Sequence, residues 1–127
     1  MKMLLLASTF LLAGCALGPT KEEREARMET EVRPTMAAYA ECMNAYAKSH
    51  LRADAGPYQI ADAAAGSCSA EYGEMERATR EYLLSQVDPD YHLKALALVR
   101  LKNTEFRDSM RRMVVETVVN DRTPAAQ

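Results

Sequence analysis

The sequence predicts an all-α fold, an elongated antiparallel three-helix bundle. Three observations carry this expectation. Apolar residues recur at spacings of three and four, with no alternating β-branched run. Pro and Gly gather at a few points, Gly18-Pro19, Pro34, Gly56-Pro57 and Pro89, leaving long stretches of good helix formers between them. Those stretches are of similar length and joined by short turns, so each should fold back along its predecessor and bury its apolar stripe there.

The first helix should span about residues 21–52. Thr20-Lys21-Glu22-Glu23 has the form of a capping box, in which the threonine hydroxyl and the glutamate carboxylate satisfy orphaned backbone donors. Pairs four apart, Glu23 with Arg27 and Glu29 with Arg33, support the helix by a few tenths of a kcal/mol each. Met28, Val32, Met36, Tyr39, Met43, Tyr46 and His50 form its inward stripe, which runs through Pro34; a kink is expected there because proline lacks a donor and its ring crowds the preceding turn.

Arg52 to Pro57 reads as a turn, with Gly56 able to stop one helix and Pro57 suited to start the next. A second helix over 58–87 carries Ala61, Ala65, Cys68, Tyr72, Met75, Thr79, Tyr82 and Gln86 inward. Asp88 as N-cap and Pro89 at the first helical position open a third helix over 89–120. Its buried side is marked by Leu93, Leu96, Val99, Phe106, Met110, Met113 and Val118, with Asn103 as an interruption, and residues 121–127 read as a flexible tail.

Cys42 and Cys68 are equidistant from Ala55, inside the first turn. In an antiparallel hairpin such residues lie at the same height, which makes a disulfide geometrically reasonable provided the helices approach closely. The small residues Ala63 to Ser67 supply that closeness. A bridge closing a loop of this size contributes roughly 3 kcal/mol and belongs to an oxidising compartment. The competing readings are two free buried thiols, or a redox or metal pair, which lacks a C-x-x-C spacing to support it.

The chain opens Met1-Lys2-Met3 and runs apolar from Leu4 to Ala13. This run is too short for a membrane span, which needs about 20 apolar residues, and ends at small residues as a removed signal peptide does. Leu12-Ala13-Gly14-Cys15 resembles the bacterial lipobox. That resemblance implies cleavage after residue 14, a diacylglyceryl group on the Cys15 thiol and acylation of the new amino terminus. It also implies a cell-envelope location. In proteins of this kind an aspartate after the cysteine tends to retain the chain in the inner membrane; Ala16 stands there, favouring an outer membrane facing the periplasm in a Gram-negative host. Residues 15–20 are then the lipidated terminus and linker, and 21–120 the helical domain.

Composition narrows the rest. About 113 residues remain after cleavage, enough for one domain. The formal charge of −2 is spread over interspersed signs, so a basic nucleic-acid face is not expected. His50 and His92 fall near opposite ends of the bundle, and the H-E-x-x-H, G-x-S-x-G, S-x-x-K and P-loop patterns are missing. Neither an enzyme nor a cofactor is expected. Met36, Met43, Met75 and Met110 read as core filling rather than as soft copper ligands, and Tyr39, Tyr46, Tyr72 and Tyr82 as core rings rather than a sugar-binding shelf.

The function expected is structural or interactive: a lipid-anchored rod presenting a surface to an envelope protein partner. That surface is expected at Arg52, Asp54, Tyr58, Arg111 and Arg112, at the end away from the membrane. The alternative is a small-ligand-binding helical lipoprotein taking a glycan, lipid or metal, and after it a thiol redox protein. Stripes with near-heptad spacing also leave a homodimer open.

Overall fold

The computed structural model describes residues 18–123. The expected signal segment, Cys15 and the end of the expected tail lie outside the described residues. The protein is a helical bundle, with no strand among the described residues. Its elements are α1 (Lys21–Arg27), a π-helical turn (Met28–Val32), α2 (Arg33–Ser49), α3 (Pro57–Ser67), α4 (Ser69–Leu84), a 3₁₀ turn (Pro89–Tyr91) and α5 (His92–Arg122). No helix among the described residues is long and apolar enough to cross a membrane.

The Thr20 capping box forms: Glu23 N–H donates to the Thr20 hydroxyl at 3.2 Å and Thr20 N–H to the Glu23 carboxylate at 2.8 Å. With Glu23 so engaged, Arg27 pairs with Glu31 at 2.8 Å instead of with Glu23. The Glu29–Arg33 pair forms at 2.9 Å. The disturbance expected at Pro34 takes the form of a π-helical turn just before it. Arg33 N–H donates to the Met28 carbonyl, five residues back. Widening the turn relieves the register conflict that a proline ring and its missing donor impose on the residues behind it.

Four boundaries depart from expectation, among them the end of the second helical stretch, which falls at Leu84 rather than 87. The first helical stretch ends at Ser49 rather than 52, and Gly56 is not its stop but the N-cap of α3, where its N–H donates to Gln59 Oε1 at 2.9 Å. A single helix over 58–87 is not found: Cys68, at φ −97° and ψ 23°, separates α3 from α4. Gly66, Ser67, Cys68 and Ser69 are all weak helix formers, so the helix gives way where tertiary geometry asks it to. The third helix, by contrast, runs on through Asn103 to Arg122, so Asp121 and Arg122, expected in a flexible tail, are helical. Asp88 does cap the start of this segment, accepting from Asp90 N–H at 3.1 Å.

The core runs through Tyr39, Met43, Ala47, Ile60, Ala64, Cys68, Met75, Val114 and Val118. It lies where α2 meets α4 and α5, and where α3 meets α5. Asn103 does not interrupt the buried side of α5 but belongs to it, buried with its side-chain N–H₂ unpartnered among the described residues. Leu93, expected on that buried side, is exposed. It stands six residues before the buried Val99, a separation that carries it off the inward face of a 3.6-residue helix.

Candidate functional site

Cys42, on α2, and Cys68, between α3 and α4, form a disulfide with an S–S distance of 2.03 Å and Cα atoms 5.9 Å apart. That Cα separation is shorter than the usual 8 to 10 Å between packed helix axes. The small side chains of α3 allow the approach: Ala61 and Ala64 are buried and put no bulk between the backbones.

Aromatic rings lie one turn away on each side. Tyr39 precedes Cys42 by three residues and Tyr72 follows Cys68 by four, and their ring centroids are 5.3 Å apart with Phe106 6.3 Å from Tyr39. Tyr39 is fully buried and its hydroxyl has no hydrogen-bond partner among the described residues. Burial pushes the Tyr39 phenol above its ordinary range, against the opposing pull of Arg107 and Arg111. Burial likewise raises Tyr72, with the Glu76 carboxylate adding to the effect. Both phenols therefore stay neutral at physiological pH, and the rings act as packing surface rather than as proton acceptors. The Arg107 guanidinium sits 5.7 Å from the Tyr72 ring centre, a cation–π arrangement at the edge of this cluster.

Around the corner, α3 and α5 form a shallow groove of about 520 Å³. Three of the five residues expected in a contact surface line it together: Tyr58, Arg111 and Arg112. Asp108 and Glu116 face them, and Ala61 and Val115 make an apolar floor. Arg111 is ion-paired with Asp62 across the two helices, which fixes one guanidinium against the wall. Arg52 and Asp54 are exposed in the turn between α2 and α3 and do not line the groove.

That turn is held by a residue the sequence pattern does not single out. Arg122, at the end of α5, donates to the carbonyls of Leu51, Ala53 and Ala55 at 2.7, 2.8 and 2.8 Å. Tight turns leave carbonyls without partners, and a basic residue level with such a turn is the signal that could have found it.

Among the described residues, the one cluster of three metal-ligand types is Cys42, Cys68 and Glu71, whose ligand atoms lie within 4.8 Å of one another. Its two sulfurs are bonded to each other and so offer no thiolate. His50 stacks on Tyr46 at 3.9 Å and its Nδ1 lies 2.8 Å from the Tyr46 carbonyl oxygen, which makes it a helix-end residue donating to the backbone. His92 opens α5. Met43 and Met75 are buried in the core, with Met36 and Met110 packed against it. No family model, curated protein or solved structure matches this chain.

Proposed function

We propose that this protein is a lipid-anchored component of a bacterial cell envelope, with a structural or protein-binding role. The Cys42–Cys68 disulfide is the observation that carries the reading. Disulfides persist in oxidising compartments and are rare where thiol reductants act, so the bridge favours an exported chain. Leu12-Ala13-Gly14-Cys15 supplies the means of attachment: acyl chains on Cys15, each adding about 0.8 kcal/mol per buried CH₂, make a hydrophobic helix unnecessary. Ala16 favours the outer membrane as the destination.

In this reading the helices form three limbs running antiparallel, α1–α2, α3–α4 and α5. Hydrogen bonds from Tyr82 Oη to the Arg24 carbonyl and from Arg27 to the Ser85 hydroxyl support it, since they join the start of one limb to the end of the next. Arg122 with residues 51–55 does the same at the other end. The anchor would then lie beside the start of α1, and the 51–55 turn would stand farthest from the membrane. Arg52 and Asp54 at that tip, with Tyr58, Arg111 and Arg112 just below, form the surface offered to a partner protein. Tyrosine and arginine are the residues that most often dominate such contacts.

Metabolic labelling with a fatty acid tests the reading. The wild type should take up label and fractionate with membranes; Cys15→Ser should lose both. A wild-type chain that takes up no label, with Cys15→Ser maturing to the same size, would sink the lipid anchor.

A further inference from the structure

α5 begins with a face that the bundle leaves uncovered. Tyr91 is 57% exposed, Leu93 84%, Leu98 48% and Leu101 55%. Ala97 is exposed among them. Leu83 and Val87, from the preceding connection, meet Tyr91, Lys94 and Leu98 in a shallow apolar depression. An apolar patch of this kind on a small protein marks a surface meant to be covered.

Charge bears on what covers it. Lys94 and Arg100 have no ion-pair partner among the described residues, whereas Lys102 pairs with Glu105 at 2.9 Å and Asp88 and Asp90 stand just before Tyr91. The Lys94 ammonium lies 5.8 Å from the centre of the Tyr91 ring, its stem running beside the patch. Leucines and a tyrosine interleaved with basic side chains are the composition of a helix that rests in the boundary of an anionic lipid surface.

Position agrees with charge. Tyr82 and Ser85 bond to Arg24 and Arg27, so the connection that bears the depression sits beside the first helical turns. Gly18 opens the described chain there, and the three-residue stretch back to Cys15 spans no more than about 10 Å.

We infer that the first three turns of α5, through Tyr91, Leu93, Leu98 and Leu101, lie against the lipid surface to which the protein is anchored. Lys94 and Arg100 would pair with anionic headgroups. The inference rests on the anchored reading above and adds a second, non-covalent contact to it. Since the exposed leucines extend along the side of α5 from Leu93 to Leu101, about 12 Å of helix, the bundle leans on the membrane instead of standing upright on its tether.

The chain has no tryptophan, so a single introduced one reports on its own surroundings. The acylated full-length mature protein, carrying Leu93→Trp, Leu101→Trp or Tyr58→Trp, is placed on vesicles of phosphatidylethanolamine and phosphatidylglycerol with brominated acyl chains. Blue-shifted emission and bromine quenching are expected at positions 93 and 101, and neither at 58. Adding Lys94→Glu and Arg100→Glu should abolish the quenching while the protein stays on the vesicles. Overturning results would be tryptophans at 93 and 101 as open to aqueous acrylamide as that at 58, on protein that still floats with the vesicles; the anchor would survive that outcome. Shielding that depends on protein concentration and not on bromine would also overturn it, in favour of a second copy. An amino-terminal peptide without acyl mass, on protein that does not float, would remove the anchor and this inference together.

Discussion

The two halves of this bundle are built from helices of similar character and differ in what they bury. Around the disulfide, α2, α3 and the last turns of α5 enclose Tyr39, Met43, Ala47, Ile60, Ala64, Val114 and Val118, and Arg122 braces the turn beyond them. Toward the start of α1 the interior thins. α1 itself buries no residue, Val32, Ala78, Ala95 and Val99 are small, and four large apolar side chains at the head of α5 remain in the open. The lesson is that one half holds itself together by its own contacts, whereas the other leaves large apolar side chains uncovered.

Paired truncations should expose the contrast most strongly. Met43→Ala empties space in the enclosed half and should cost about 3 kcal/mol, whereas Leu98→Ala, already half exposed, should change stability by less than about 0.5 kcal/mol. Urea denaturation of the two variants measures both, and equal losses would erase the distinction. Removing the bridge as Cys42→Ser with Cys68→Ser should lower stability by roughly 3 kcal/mol through the freer unfolded chain. Hydrogen exchange sharpens the point: protection should fall across α2 and α3 and change little in α1, which the disulfide does not bind. Smallest of the three, Arg122→Ala should cost about 1 to 2 kcal/mol, because the released carbonyls can turn to water. Limited proteolysis should then find new cuts at 51–55, and an unchanged pattern there would mean that the turn stands without its brace.

Much of this architecture is legible before any coordinates, where it follows from local chemistry or chain arithmetic. The Thr20 box and the Asp88-Pro89 start are read from neighbours in sequence, and the Cys42–Cys68 pairing from symmetry about Ala55. The misses share a cause in tertiary demand. A one-residue break at Cys68 leaves the inward stripe of α3 and α4 almost unaltered, so periodicity cannot register it. Asn103 looks like an interruption because a polar residue at an inward position is indistinguishable, by pattern, from a gap in the stripe. Arg122 looks like tail until its contacts 67 to 71 residues away are known. Of the contact surface, Tyr58, Arg111 and Arg112 fall together because α3 and α5 pack side by side, whereas Arg52 and Asp54 stand apart in the turn, a separation that grouping by bundle end does not register.

The guanidinium of Arg122 has a meaning for biogenesis. Three carbonyls of an early loop wait on a side chain encoded far downstream, so any chain whose synthesis has not yet reached residue 122 displays that loop unlocked. Arrival of residue 122 thereby becomes a physical condition for closing it.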